Sequence, residues 1–219
     1  MFSETIITML GEGIIETLYM TIVSTILGYV IGLPVGIVLV ITAADGIKPM
    51  TAVNKVVDFI VNILRSVPFL ILLIAIIPLT RLIVGSSIGP TAAIVPLVIA
   101  AAPFIARMVE SSLREVDKGL IEASLSMGAS PMQIIWKVFL PEARPSLLVG
   151  AAISTTTILG YSAMAGICGG GGLGDIAIRY GYQRYEDDIM IVTIILLVLI
   201  VQIFQVVGMK IAEKSDRRR

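Results

Sequence analysis

The sequence contains no histidine and one cysteine, Cys168, among its 219 residues. Without histidine, the chain lacks the usual imidazole base for a serine or cysteine nucleophile and the commonest metal ligand. One cysteine excludes an internal disulfide framework and a cysteine metal cluster. Charged residues make up only 15% of the chain and their formal net charge is zero, so no charge excess points to a nucleic-acid partner.

Apolar residues dominate what remains. Hydrophobic side chains form 57% of the sequence, and the mean hydropathy is +0.99. A soluble domain of this length is far less apolar, so the composition predicts an all-α integral membrane protein. The first basic residue is Lys48, and the N-terminal part therefore lacks the basic segment with which a cleavable signal peptide begins.

Five apolar runs approach or exceed the ~20 residues that a helix needs to cross a bilayer. We predict a single transmembrane domain, residues 1–219, with spans at residues 17–44, 56–79, 90–105, 145–167 and 189–209. A brief external turn is expected at residues 80–89, and a polar central loop at residues 107–144.

Glycine and proline shape the expectations for the first and third spans. Small residues recur every four positions in the first span and favour close helix packing: Gly28, Gly32 and Gly36. Pro34 is expected to kink that span. Pro96 and Pro103 are expected to interrupt the third span, which should end where charge resumes at Arg107.

The second span carries a polar stripe of Asp58, Asn62 and Arg65 at helical spacing. Such a stripe must avoid lipid, and an ionisable residue inside a membrane is a candidate for function. The alternative is that this part of the helix still lies at the cytoplasmic interface, with Arg65 extended towards the headgroups.

Hydroxyl groups make the fourth span the least lipid-like of the five. They belong to Ser154, Thr155, Thr156, Thr157, Tyr161 and Ser162. A helix this polar is expected inside a bundle or beside a pore. Met164, Tyr161 and Ser162 are our candidates for a gate or path, although filling a core is the more ordinary role of a single methionine.

The central loop has the signals of two short helices joined by a tight turn. Asp117 can cap a helix from Lys118 to about Met127, and Gly128 suits a left-handed helix exit.

The second of these helices should begin after Ser130. Pro131 occupies its first position, and Gln133 completes a Ser-x-x-Gln capping box. Pro141 is expected to close this helix.

The stretch EASLSMGASPMQIIWKVFLP within the central loop resembles the EAA loop of permease subunits of bacterial ABC importers. In that family the loop is a cytoplasmic coupling helix that docks into a cleft on a separate ATPase subunit. The resemblance implies that Glu122, Ala123, Ser124, Gly128, Leu140 and Pro141 are the ATPase-coupling residues. Ser124 replaces a usual alanine, and Val138 a usual isoleucine. An amphipathic helix-turn-helix between two spans is the alternative.

A glycine-rich segment, residues 168–175, follows the fourth span. It lacks the Lys-Ser or Lys-Thr ending of a nucleotide-binding loop, so we reject that interpretation. The sequence from Ser162 to Asp188, particularly GGGGLGDIAIRYGYQRY, resembles methionine importer permeases. Its residues predict a flexible glycine turn and then an external aromatic surface suited to an outer partner: Arg179, Tyr180, Tyr182, Arg184 and Tyr185.

The distribution of basic residues predicts the orientation. With the central loop in the cytoplasm, twelve Lys or Arg residues lie inside and only Arg81, Arg179 and Arg184 lie outside, leaving aside Arg65 within its span. The positive-inside rule therefore places the N-terminus outside and the C-terminus in the cytoplasm.

The chain needs an external energy source, because the sequence shows neither a nucleotide-binding loop nor paired intramembrane carboxylates. Five spans are also too few to enclose a substrate path, which favours a two-fold dimer.

The resemblance implies a permease, not an enzyme, of an ATP-driven importer of methionine (L- and D-methionine) in the bacterial cytoplasmic (inner) membrane. It implies a homodimer in contact with membrane lipid, two ABC ATPase subunits that bind ATP and magnesium, an external substrate-binding protein or lipoprotein, and alternating access. The chain itself is expected to bind no cofactor and no metal. The alternatives are the same architecture importing another amino acid or small solute, and a transporter or channel of another class.

Overall fold

The computed structural model describes residues 4–215, and this range is helical without any strand, which confirms the all-α fold class. The α-helices in chain order are α1 (Glu4–Ile41), α2 (Thr51–Ser66), α3 (Phe69–Ala75), α4 (Ile77–Val84), α5 (Pro90–Arg114), α6 (Lys118–Ser126), α7 (Pro131–Ile134), α8 (Leu140–Glu142), α9 (Arg144–Gly166), α10 (Gly172–Ile176) and α11 (Asp187–Ser215). Two π-helical turns, Ile135–Phe139 and Ala177–Tyr182, follow α7 and α10.

Four helices of the described range, α1, α5, α9 and α11, are each long and apolar enough to cross a membrane. A fifth span exists only if α2 and α3 are counted together across a bend of 100°. The predicted spans therefore fall on these helices, but their boundaries and the continuity of the second span differ from the prediction.

The second span is broken at Val67 and Pro68, so the expected continuous helix over residues 56–79 is wrong. Val67 has extended backbone angles (φ −80°, ψ 123°), as expected for a residue whose α conformation clashes with the ring of a following proline. The predicted external turn at residues 80–89 is also partly helical, because α4 continues to Val84 before the chain turns.

The long helices extend beyond the apolar runs that identified them. The first span was expected at residues 17–44, but α1 begins at Glu4 and ends at Ile41. Glutamate is a good helix former, so the helix can include Glu4, Glu12 and Glu16 without ending there. Likewise α11, predicted at residues 189–209, spans Asp187–Ser215.

The third span does not end at Arg107 and is not interrupted by its prolines. Helix α5 continues to Arg114, and both Pro96 and Pro103 lie buried within it. Neighbouring helices in a bundle can satisfy the carbonyl groups that a proline leaves free, which is why proline is tolerated inside membrane helices.

Helices α1 and α5 pack closely along the predicted glycine stripe, which is confirmed. A Cβ atom added to Gly32 would lie 2.7 Å from the carbonyl oxygen of Ala102, and one at Gly36 would lie 2.6 Å from that of Ala106. The backbones can therefore approach only because these residues lack side chains. Leu97 and Ile105 of α5 are fully buried, and Ile105 lies directly against Gly28 and Gly32 in this contact.

Candidate functional site

The first half of the central loop folds as predicted. The Gly119 N–H donates to the Asp117 carboxylate at 2.6 Å, and α6 then runs to Ser126. Gly128 has the left-handed conformation (φ +79°), with open space where a side chain would be. Because few residues other than glycine adopt this conformation easily, Gly128 sets the direction in which the chain leaves α6.

The second half begins with the predicted capping box. The Ser130 N–H donates to the Gln133 side chain at 2.8 Å, and the Gln133 N–H donates to the Ser130 hydroxyl at 3.4 Å. The apolar side chains Ile134 and Phe139 anchor this half in the core.

Pro141 does not close the second helix, contrary to the prediction. The chain widens into the π-helical turn Ile135–Phe139, continues through α8 to Glu142, and turns at Ala143 before α9. Proline clashes with the carbonyl four residues earlier in a regular α-helix. A wider π turn immediately before Pro141 relieves that clash, so the helical path can continue past the proline.

The outer face of the central loop combines exposed apolar side chains with an exposed carboxylate. The apolar ones are Leu120, Leu125, Met127, Met132 and Trp136, of which Met127 is 80% exposed. Glu122 and Ala123 are exposed beside them on α6, whereas Ser124 is half-buried and donates to the Leu120 carbonyl at 2.7 Å. Leu140 is half-buried and Pro141 exposed at the far end. An exposed apolar patch of this kind marks an interaction surface.

Asp45 connects this loop to the segment between α1 and α2. The Lys118 ammonium donates to Asp45 at 3.2 Å, and the Arg114 guanidinium lies 3.7 Å from the same carboxylate. The hydrogen bond from Lys118 is the largest cause that lowers the pKa of Asp45. Because the folded pKa is lowered, the stabilisation is present at neutral pH and disappears as the pH falls through that pKa. The pair is mostly exposed, so its contribution is small.

Two of the three residues of the polar stripe of α2, Asp58 and Asn62, contact α5. Arg107 of α5 donates to the Asp58 carboxylate, to the Asn62 amide oxygen at 2.8 Å and to Glu110 at 2.6 Å. Arg65 is exposed and forms no ion pair within residues 4–215. The sequence did not indicate Arg107 as the partner, because the pairing joins helices 49 residues apart in the chain.

Replacing Arg107 with methionine is expected to lower the free energy of unfolding by about 1–3 kcal/mol, because three polar partners lose their donor in a partly buried site. The side chain of Arg107 is only 19% exposed. Thermal unfolding of the purified protein in detergent measures the loss. Arg65→Met is the matched control on the neighbouring helix, and an equal loss in both variants would contradict the assigned role.

Tyr161 and Met164 share one face of α9. The Tyr161 ring stacks on Phe69 of α3, with the ring centres 4.7 Å apart and the planes 6° from parallel. Met164 is one turn further on and is 36% exposed. Through the contact between Tyr161 and Phe69, the broken second span therefore touches the face of α9 on which Met164 is exposed.

Ser162 is not on that face. It is 1% exposed, donates to the Leu159 carbonyl at 2.8 Å and lies 3.5 Å from the Thr21 hydroxyl of α1. The hydroxyl groups earlier in α9 likewise donate to carbonyls of their own helix, as Ser154 does to Gly150 and Thr155 to Ala151. These bonds satisfy the hydroxyl groups within the helix itself, so the hydroxyl content of α9 does not by itself indicate a pore.

The glycine-rich segment is held by a residue that the sequence analysis missed. The Gly172 N–H donates to the Glu16 carboxylate of α1 at 2.7 Å. A carboxylate directly before the apolar run of residues 17–44 gave no local signal for this contact, since its partner lies 156 residues away. In the aromatic surface, Tyr182 and Tyr185 are exposed, but Tyr180 is half-buried beneath the Arg184 guanidinium, 4.4 Å from its ring centre.

Comparisons with known proteins agree with this architecture. Residues 32–218 match the family model described as "Binding-protein-dependent transport system inner membrane component". The chain is 52% identical over 203 residues to the probable D-methionine transport system permease protein MetI of Vibrio cholerae, covering 93% of this chain and 90% of the relative. It is 44% identical over 217 residues to the methionine import system permease protein MetP of Bacillus subtilis, covering 99% and 98%.

A solved structure shows the same fold over nearly the whole chain. It is of the MetNI methionine ABC transporter in an inward-facing conformation. The TM-score is 0.97 at 51% identity, and the match covers 99% of this chain and 100% of the other.

Proposed function

This chain belongs to the family of binding-protein-dependent transport system inner membrane components, and from that premise we propose that it is the permease through which an ATP-driven importer takes up methionine. As a member of this family it is a multi-pass inner-membrane transport component and not an enzyme. The methionine substrate is supported by the names of the Vibrio and Bacillus relatives. We propose both L- and D-methionine as substrates.

The observation that carries the proposal is the shape of the central loop. Its two capped helices diverge at Gly128 and project exposed apolar side chains around Glu122, while Ile134 and Phe139 fix its inner face to the bundle. A rigid projection with an apolar outer face suits insertion into a cleft of another subunit.

Each proposed coupling residue has a structural role in that projection. Glu122 and Ala123 present the contact face of α6, whereas Ser124 is half-buried and its hydroxyl donates to the Leu120 carbonyl one turn earlier. Gly128 sets the angle between the two helices. Leu140 and Pro141 lie after the π-helical turn, where the loop rejoins the bundle.

The proposed assembly is a homodimer with two ABC ATPase subunits, which bind the ATP and magnesium. Closure of the ATPases would draw the two central loops together and convert an inward-facing path to an outward-facing one. An external binding protein would then deliver substrate. The excess of basic residues on the central-loop side supports an orientation with the C-terminus in the cytoplasm and the N-terminus outside.

Met164 and Tyr161 remain our candidates for the path, because they share the open face of α9. The stack of Tyr161 on Phe69 gives the broken second span a direct contact with that face. The burial of Ser162 against α1 supports packing as its role in place of the path.

The test is purification of the tagged protein from native membranes in mild detergent, followed by identification of the co-purifying subunits and assay of ATP hydrolysis. We expect an ATPase in equal amount, and uptake of labelled methionine that unlabelled L- and D-methionine compete away. Recovery of the chain without an ATPase in several detergents would contradict the importer mechanism. Uptake competed only by another amino acid would contradict the substrate and leave the mechanism standing.

A further inference from the structure

The start of α10 is capped from a distant helix. Its N-cap residue, Gly171, and its first residue, Gly172, have no side chain that could accept a hydrogen bond, and no local side chain caps this end. Two side chains of α1 accept from it instead: Glu16 from the Gly172 N–H at 2.7 Å, and Thr17 from the Leu173 N–H at 2.9 Å. The first N–H groups of a helix need such partners, and a carboxylate also complements the positive end of the helix dipole.

The two acceptors are held firmly in place. Thr17 is 1% exposed, and its hydroxyl donates to the Gly13 carbonyl at 2.7 Å, which fixes the direction of its oxygen lone pairs. Glu16 is half-buried beside it. A hydrogen bond to an ionised carboxylate is roughly twice as strong as one between neutral groups, so Glu16 is the stronger of the two attachments.

Gly171 and Gly172 lie so close to the two acceptors that neither position has room for a side chain. A Cβ atom at Gly171 would lie 2.7 Å from the Glu16 carboxylate oxygen, and one at Gly172 would lie 2.7 Å from the Thr17 hydroxyl. Both glycines also have positive φ angles, +80° and +75°. The backbone of this segment therefore packs closely against Glu16 and Thr17 and is not a loose linker.

The attachment determines where the aromatic surface lies. Helix α10 continues directly into the π-helical turn Ala177–Tyr182, so the position of its first residue fixes the residues that follow. The exposed Tyr182, Arg184 and Tyr185 come at the end of this short helical unit. They lie at the end of the bundle opposite the central loop, which the proposed orientation places outside the cell.

We propose that Glu16 and Thr17 are positioning residues that fix the aromatic surface for docking of the external binding protein. This inference rests on the proposed function, because it takes the orientation and the binding protein from it. The residues touch neither substrate nor ATPase. Their effect is expected in the response of the transporter to its binding protein, and not in the ATP hydrolysis that the complex performs alone.

The experiment compares Glu16→Leu with Glu16→Gln, and Thr17→Val with Thr17→Ser, in the intact complex reconstituted into liposomes. ATP hydrolysis is measured with and without methionine-loaded binding protein. We expect Glu16→Leu to reduce the stimulation about fivefold or more while unstimulated hydrolysis stays at the wild-type rate. Glutamine and serine keep a side-chain oxygen acceptor, so those variants should retain most of the stimulation.

Hydrogen exchange of the Gly172 and Leu173 amides supplies a readout that is independent of transport. We expect the Gly172 amide in Glu16→Leu, and the Leu173 amide in Thr17→Val, to exchange about tenfold faster or more, because each amide loses its capping acceptor. Faster exchange with unchanged stimulation would overturn the positioning role, as would equal defects in Glu16→Leu and Glu16→Gln. A wild-type complex that the binding protein fails to stimulate would instead overturn the proposed function.

Discussion

Replacement of Glu122 by arginine is expected to abolish methionine uptake while a folded permease remains in the membrane. Glu122 is exposed on the contact face of α6, and its side chain forms no ion pair within residues 4–215. Folding therefore does not depend on it. In the proposed complex a reversed charge would meet a partner surface that complements a carboxylate, and such a mismatch costs several kcal/mol, enough to reduce binding about a hundredfold or more.

The measurement combines uptake of labelled methionine with recovery of the ATPase by the tagged permease, at matched membrane levels. Glu213→Arg is the control, because it makes the same charge change at an exposed position of α11, outside the central loop. Uptake should fall about tenfold or more in Glu122→Arg and remain unchanged in the control. Normal uptake by Glu122→Arg at a normal membrane level would refute the coupling role of this residue.

Replacement of Gly128 by valine tests the same surface in a second way, because it changes the geometry of the loop and leaves its charge unchanged. Valine at this position has space around it but must adopt a positive φ angle, which costs about 1–2 kcal/mol for a residue with a side chain. The second helix can avoid that cost only by changing its direction relative to α6. A change of direction would misplace the contact face even though every charged group of the loop is kept.

The central loop was predictable from the sequence because its signals act over a few residues. Asp117 and the pair of Ser130 and Gln133 cap the helices that immediately follow them, and Gly128 determines only its own backbone angles. The glycine stripe of α1 was predictable for a related reason. A helical repeat identifies the packing face without any knowledge of the partner helix.

The polar attachments between helices were not predictable, since each joins positions far apart in the chain. Arg107 meets Asp58, and Glu16 meets Gly172, only after the bundle has formed. The break at Pro68 also escaped prediction, because hydropathy measures how apolar a segment is and not whether it is straight. A proline effect depends on its surroundings: the chain bends by 100° at Pro68 but continues past Pro103.

The glycine-rich segment shows the largest difference between expectation and structure, and Gly174 provides its sharpest test. The sequence suggested a flexible turn, but Gly174 packs directly against the backbone of Ala163 in α9. A Cβ atom there would lie 2.7 Å from both the carbonyl carbon and the Cα atom of Ala163. Backbone atoms cannot move aside as the end of a side chain can, so even alanine would separate α10 from α9.

We expect Gly174→Ala to lower the free energy of unfolding by about 1–3 kcal/mol, the usual cost of overpacking, and to reduce methionine uptake strongly. Gly11→Ala is the matched control: its Cβ would have open space within α1, so the better helix propensity of alanine should leave stability equal or up to about 1 kcal/mol higher. Thermal unfolding in detergent and uptake at matched membrane levels measure both effects. If the segment acted as a flexible hinge, alanine would be tolerated at Gly174 as it is at Gly11. A loss confined to Gly174 would instead establish that this glycine serves close backbone contact between α10 and α9.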